Sequence, residues 1–221
     1  MSREEIGAKC YDVVMGVRES VIDTFVEKIP VVGFFVTTAK NIKSQTLQRR
    51  YEMWQYKVGE RLATLEDAVF DTLGENETFT TAFVKTSELA AQSNEKKMEC
   101  LANALLYIAQ NGIKEDYMII FLNDIAKYSL SHLMVMQYFY NPTKYYPDST
   151  LVMASPLEPF YKMFPRCETD IMATITSELK SDGLFNDDME ALISATYPFI
   201  KRTSKLGDKF IEFFGLNEIE L

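Results

Sequence analysis

Apolar side chains recur at steps of three and four residues along most of the chain, which is the spacing of one face of an α-helix. The first stripe covers residues 6–25 and ends before Pro30, because proline disfavours the helical conformation of the residue that precedes it. A longer stripe covers residues 47–69, with polar side chains on the remaining positions. This second stripe predicts one long helix that faces a core.

Four further helices are predicted between Phe79 and Tyr140. Ser93-Asn94-Glu95 is typical of a helix start, since a side-chain oxygen there can accept a hydrogen bond from the first turn. Gly112 is a stop signal for the same helix. Residues 114–127 and 129–140 are the last two helices, with Ser129 or Ser131 as the expected cap of the final one.

The C-terminal end carries the pattern of a winged-helix unit. A helix over residues 168–182 is stopped by Gly183, and a short β-hairpin fits residues 184–202. Thr203 is the expected cap of a last helix that contains Phe210. The predicted fold class is mainly α, a multi-helix body with a small winged-helix-like C-terminal unit.

Prolines and aromatic residues separate that unit from the helices before it. The domains are predicted as a helical body over residues 1–142, a Pro/aromatic-rich crossover over 143–166 and the winged-helix-like unit over 167–221. The predicted core consists of Val14, Val21, Trp54, Leu62, Leu65, Leu101, Leu105, Phe121, Leu133, Leu179, Leu206 and Phe210.

Composition and charge narrow the classes of partner and site. The 221 residues carry a net charge of −9, which opposes binding to phosphate backbones or anionic lipid by charge alone. Three widely spaced cysteines without a CxxC pair, together with one histidine, argue against a zinc site. We therefore predict no metal and no cofactor. The scattered cysteines and the charged N-terminal residues predict a cytoplasmic protein.

Catalytic motifs are absent from the sequence, which predicts a protein that is not an enzyme. His132 is the single histidine, so a histidine-based triad would depend on it. Ser129 and Ser131 lie near it in sequence, but Asp124 is about two helical turns away. We predict that His132 is a partly buried residue at a helix start.

The segment over residues 29–40 is almost uniformly apolar and has three interpretations. It can be a buried core helix, a ligand for a partner's groove, or a shallow membrane insertion. Its candidate contact residues are Val31, Val32, Phe34 and Phe35.

The charges of the C-terminal unit disfavour DNA binding. In a winged helix, the helix over residues 168–182 would enter the major groove. Lys180 is its single cation, against four acidic residues. Lys201, Arg202 and Lys205 are the remaining candidates for contact with phosphate. Nucleic acid is therefore an unfavoured partner, and a packing or protein-binding role is preferred.

Several segments together resemble a set of largely uncharacterised bacterial helical proteins. The segments are Ile29-Pro30-Val31-Val32-Gly33, residues 83–105 with their central Ser93-Asn94-Glu95-Lys96-Lys97, and Leu130-Ser131-His132 with Asn141-Pro142. One branch of that set is labelled abortive-infection alpha-type. The resemblance covers residues 29–214 and implies a helical body with a winged-helix-like end, but no catalytic residue.

Three functions follow from these observations. The leading one is a non-enzymatic cytoplasmic protein-interaction protein of bacterial or mobile-element origin, linked to phage defence by the resemblance. The alternatives are a membrane-active effector that inserts residues 29–40, and a winged-helix DNA-binding regulator.

Overall fold

The computed structural model describes residues 44–145, 169–186 and 200–219. In these ranges the chain forms nine α-helices, one 3-10 turn and no β-strand, which confirms the mainly α class. The helices are α1 Gln45–Leu62, α2 Asp67–Thr72, α3 Glu77–Gln92, α4 Glu95–Asn111, α5 Glu115–Lys127, α6 Leu130–Tyr140, α7 Pro142–Tyr145, α8 Thr169–Ser181 and α9 Lys205–Phe214. The chain divides into two compact units between Leu122 and Asn123.

In the first unit, α1, α3 and α4 pack against one another. Trp54 on α1 is 2% exposed, and its indole nitrogen donates to Ser87 Oγ on α3 at 3.0 Å. Ser87 Oγ in turn donates to the carbonyl of Phe83 at 2.7 Å. The buried indole N–H is thus satisfied, as burial of a polar group requires.

The predicted helix over residues 47–69 is wrong in its length. It ends at Leu62, a turn follows, and α2 begins at Asp67. Thr64 closes the turn, since its backbone N–H and its hydroxyl both donate to the carbonyl of Arg61. The turn preserves the three- and four-residue spacing of the apolar positions, so periodicity alone did not reveal it.

The ends of α4 lie where the sequence predicts a cap and a glycine stop. Asn94 caps α4, with its side chain accepting from Lys97 N at 3.0 Å, and Gly112 ends the same helix at φ +66°. Asn76 caps α3 in the same way, accepting from Phe79 N at 2.9 Å. These side chains accept N–H groups that have no partner inside the helix.

Cys100 lies on α4 and is fully buried. Burial raises the pKa of its thiol to about 12, with a further contribution from the charge of Glu99. In a variant carrying Cys10→Ser and Cys167→Ser, we expect a disulfide reagent to modify Cys100 only after unfolding, because the thiolate is the reactive form. Equal rates for native and denatured protein in a thiol-release assay would contradict this expectation.

In the second unit, α8 and α9 pack against α6. Gly183 ends α8 at φ +74°, as predicted, and the chain then forms an isolated antiparallel bridge between Phe185 and Thr203. The predicted cap at Thr203 is wrong by one residue: Ser204 is the cap, and its Oγ accepts from the N–H groups of Leu206 and Gly207. Thr203 remains extended because it belongs to the bridge.

The predicted core is largely confirmed. Eight of its members are buried: Trp54, Leu62, Leu101, Leu105, Phe121, Leu133, Leu179 and Phe210. Leu65 and Leu206 are only half-buried, since Leu65 falls in the turn after α1 and Leu206 in the first turn of α9. Val14 and Val21 lie outside the described residues.

The predicted domain limits stay a prediction. Within the crossover, residues 143–145 belong to the short helix α7, and the rest lies outside the described residues. The expected hairpin over 184–202 is described only at its two ends.

Candidate functional site

A cluster of polar side chains lies at the end of α5, the start of α6 and the end of α8. We call it the polar cluster; its members are Asp124, Lys127, Tyr128, Ser129, His132, Glu178 and Asp182. The Tyr128 hydroxyl donates to Asp182 Oδ2 at 2.6 Å. Lys127 Nζ lies 2.6 Å from the same oxygen and 3.3 Å from Asp124 Oδ1. One lysine therefore bridges two carboxylates.

His132 forms the other half of the polar cluster and is 7% exposed, as predicted for a histidine at a helix start. Its Nε2 lies 2.8 Å from Glu178 Oε2, and its ring stacks on Tyr128 with centroids 4.9 Å apart. The backbone N–H of Ser129 donates to Nδ1 at 3.2 Å, so Nδ1 is an acceptor in the neutral ring. Nε2 then carries the hydrogen that Glu178 accepts.

Ser129, His132 and Glu178 have the order of a nucleophile, a base and an orienting acid. Ser129 Oγ lies 2.8 Å from His132 Nδ1, within the reach that such a triad needs. However, Ser129 is the N-cap of α6, and its own backbone N–H already points at the lone pair of Nδ1. Reciprocal contact between the cap and the third helical residue is the arrangement of a capping box. We therefore interpret the three residues as a helix start.

This interpretation predicts that Ser129 is not a nucleophile. We expect a fluorophosphonate probe to leave Ser129 unmodified in intact-mass and peptide analysis. We also expect Ser129→Ala to lower the free energy of unfolding by about 1 kcal/mol, the typical effect of losing a cap. Labelling of Ser129 that disappears in a His132→Gln variant would instead establish a hydrolytic triad.

Burial and charge keep the hydroxyl of Tyr128 protonated. Burial raises the pKa of Tyr128 far above its usual value, and the hydrogen bond to Asp182 and the nearby carboxylates act in the same direction. For Lys127, burial disfavours the charged form, but hydrogen bonds to Asp182 and Asp124 outweigh it and raise the pKa. Tyr128 is thus a fixed donor and Lys127 a fixed cation.

Asp124 is the member of the polar cluster whose carboxylate is buried without a full set of hydrogen bonds. It is 8% exposed, and its Oδ2 has no hydrogen-bond partner among the described residues. Burial raises the pKa of its carboxyl, and the charge of Asp182 adds to this, although Lys127 opposes both. The folded state therefore binds the proton of Asp124 more tightly than the unfolded state does.

This shift predicts a pH dependence for Asp124→Asn. A raised pKa stabilises the fold below the unfolded value of about 4, and the contribution is lost as the pH rises through the folded pKa. The free energy of unfolding of Asp124→Asn should therefore increase relative to wild type between acidic and neutral pH. Urea titrations at several pH values measure this difference. A difference that is constant with pH, or that falls, would contradict the assignment.

The described residues also bear on metal and membrane sites. In that part of the chain, no group of three or more histidine, cysteine, aspartate or glutamate residues is placed to hold a metal ion. None of the helices described is long and apolar enough to cross a membrane. Val31, Val32, Phe34 and Phe35 lie outside the described residues, so their contact with a partner or a membrane stays a prediction.

The candidate phosphate contacts are only partly available. Lys201 Nζ lies 2.8 Å from Asp208 Oδ2 and 4.5 Å from the centroid of the Tyr140 ring. Arg202 is 3% exposed, and Lys205 is exposed at the start of α9. Phosphate contact by these three residues stays a prediction. Of the three side chains, Lys205 is the one that is exposed and has no ion pair described above.

Glu178 on α8 and Asp182 just after it differ in role from what their sequence positions suggest. Glu178 contacts His132, and Asp182 contacts Tyr128 and Lys127, so both serve the packing of the second unit. They are therefore weaker evidence against DNA than a simple count of charges implies. The helix still offers Lys180 as its single cation, and base recognition needs more donors than this.

The outer face of α1 is a second candidate site, and the sequence reasoning missed it. Met53 and Tyr56 are 38% and 39% exposed on this face, with Arg49 and Glu60 one turn beyond them at either end. We call these four residues the α1 stripe. The core-facing positions of α1 carry the stronger apolar pattern, so these four exposed residues were not predicted as a site. Their own spacing of four, three and four residues was the signal that could have found them.

No protein-family model matches the chain, and no curated protein or solved structure matches it. A function can therefore be inferred only from the chain's own residues. They define a helical protein with a structural polar cluster in one unit and a partly apolar exposed stripe in the other.

Proposed function

We propose that the chain is a non-enzymatic protein-interaction protein that contacts its partner through the α1 stripe. One observation carries this proposal. Six large hydrophobic side chains are exposed in the described residues, and two of them, Met53 and Tyr56, lie one turn apart on the outer face of α1. Single exposed apolar side chains need no explanation, whereas adjacent ones bordered by charged residues are typical of a binding surface.

The composition of the α1 stripe supports the same function. Arginine, methionine and tyrosine are enriched at protein interfaces relative to the rest of a protein surface. Arg49, Met53 and Tyr56 occupy positions i, i+4 and i+7, the anchor spacing of a helix that binds in a groove.

The helix that presents the stripe is held firmly. Trp54, Val58 and Leu62 are buried on its opposite face. Arg50 Nη1 also donates to the carbonyl of Ala91 on α3 at 2.9 Å. A rigid helix loses little conformational freedom on binding, so more of the contact energy remains as affinity.

The setting of the proposed interaction follows from the sequence. Scattered cysteines favour the cytoplasm. The resemblance to the abortive-infection alpha-type branch is the basis for a bacterial or mobile-element origin and for a link to phage defence, by analogy alone. The glycine stop at Gly183, the bridge between Phe185 and Thr203, and α9 are compatible with a winged-helix-like packing module.

Affinity capture from the native host tests the proposal. Wild type is compared with a Met53→Asp/Tyr56→Asp variant and with Ile171→Asp, a control at an exposed apolar side chain on another helix. We expect a bound protein, detected by mass spectrometry, that the double variant loses and the control retains. Equal capture by all three proteins would overturn the role of α1, and turnover of a small substrate without any bound protein would overturn the function.

A further inference from the structure

We propose that the α1 stripe binds the same stripe of a second copy of this chain, with the two helices antiparallel. The inference rests on the proposed function, because it assigns an occupant to the same surface. Its basis is the order of charged and apolar residues along the exposed face of α1.

The order is self-complementary about a two-fold axis that passes between Trp54 and Gln55. In that arrangement Arg49 of one copy faces Glu60 of the other, and Met53 faces Tyr56. Each contact occurs twice, as an isologous interface requires. The centre of the interface is then apolar and both of its ends carry an ion pair, which is the usual anatomy of a protein interface.

The alternative orientation is unfavourable. Two parallel helices in register would place Arg49 against Arg49 and Glu60 against Glu60, so each end would carry like charges. Antiparallel helices also align their dipoles favourably. The charge order of the stripe thus selects one orientation and favours an identical chain as the partner.

The exposure of the four residues makes the contact feasible without rearrangement of the first unit. Arg49 and Glu60 are exposed, and Met53 and Tyr56 are more than one-third exposed. The buried side chains of the same helix, including Trp54 and Val58, stay in the core. One helix pair covers less surface than the roughly 800 Å² per partner of a standard interface. We therefore expect a weak dimer, with a Kd on the order of 10–100 μM.

Charge exchange in the full chain tests the arrangement, with sedimentation velocity over a range of concentrations as the readout. Arg49→Glu and Glu60→Arg should each weaken self-association at least tenfold, because each places like charges at both ends. The Arg49→Glu/Glu60→Arg double variant restores both pairs with exchanged sides, so its Kd should return to within about threefold of wild type. Met53→Asp should abolish the dimer.

Mixing provides the sharpest outcome. The Arg49→Glu stripe is negative at both ends and the Glu60→Arg stripe is positive at both ends. An equimolar mixture should therefore form a heterodimer, although each variant alone associates at least tenfold more weakly than wild type. Wild type that stays monomeric at all concentrations would overturn the proposal, as would failure of the double variant to recover. Ile171→Asp is the control for a charge placed elsewhere, and thermal melts monitored by circular dichroism establish that each variant is folded.

The two proposals fail separately. Host capture that depends on Met53 and Tyr56, from a protein that is monomeric in sedimentation, would sustain the proposed function and overturn the dimer. Wild type that neither captures a host protein nor self-associates would overturn both.

Discussion

Replacing Gly207 with alanine is expected to lower the free energy of unfolding by about 3 kcal/mol or more, at the upper end of over-packing effects. Gly207 is buried in the first turn of α9, where the helix passes close to the turn after α8. A Cβ atom there would lie 2.1 Å from the carbonyl oxygen of Leu184 and 3.1 Å from its carbonyl carbon. Both are backbone atoms, so no side-chain rotation relieves the clash.

The surrounding hydrogen bonds make that backbone difficult to move. The carbonyl of Leu184 accepts the N–H of Ser204 at 2.9 Å, and Ser204 Oγ donates to the carbonyl of Gly183 at 2.6 Å. Displacement of Leu184 would therefore break the start of α9 as well as the end of α8. Urea denaturation of the variant measures the loss of stability.

Gly183→Ala is the matched control for this prediction. Gly183 has φ +74°, but the nearest atom to its added Cβ would be Leu206 Cδ2 at 3.8 Å. Only backbone strain remains, and we expect a loss of about 1–2 kcal/mol. If Gly207→Ala were no more destabilising than Gly183→Ala, the close approach of α9 to Leu184 would be incorrect.

Gln137→Leu is expected to lower the free energy of unfolding by about 2–4 kcal/mol, although it replaces a buried polar residue with an apolar one. Gln137 lies on α6 and is 6% exposed. Its Nε2 donates to the backbone carbonyls of Leu216 and Ile219, which follow α9. Removal of the amide leaves two carbonyls of buried residues without their donor, and the loss of a buried partner is more harmful than the mean value of a hydrogen bond suggests.

Met136→Leu is the control for Gln137→Leu. It changes the fully buried residue that precedes Gln137 on α6, at nearly constant side-chain volume and without loss of a hydrogen bond. We expect it to lower the free energy of unfolding by less than about 1.5 kcal/mol. A Gln137→Leu variant as stable as Met136→Leu would show that the two carbonyls find other donors. Chemical denaturation of both variants decides between the outcomes.

Helix positions were predictable because local chemistry determines them. Asn94 and Gly112 mark the ends of α4 with a side-chain acceptor and a positive φ, and both act within one helical turn. The break after Leu62 was not predictable from periodicity, since its turn keeps the apolar residues in phase. The cap of α9 at Ser204 was missed because the bridge to Phe185 keeps Thr203 extended.

The polar cluster was only partly predictable. His132 was recognised as a residue at a helix start, and its neighbour Ser129 as a cap candidate. Glu178 was counted as part of an acidic helix face, because nothing in the sequence places it beside a histidine 46 positions away. The hydrogen bond between Tyr128 and Asp182 was not predictable for the same reason, since 54 positions separate the two residues in the chain.

By itself, the sequence determined the mainly α class, most helix boundaries and eight of the twelve predicted core residues, because periodicity and capping act over a few residues. Only the tertiary structure decided that Glu178 and Asp182 contact the end of α5 and the start of α6, that Arg202 is buried, and that Met53 and Tyr56 remain exposed. Burial and pairing depend on which helices meet. That choice is made by packing between segments distant in the chain, which no local pattern records.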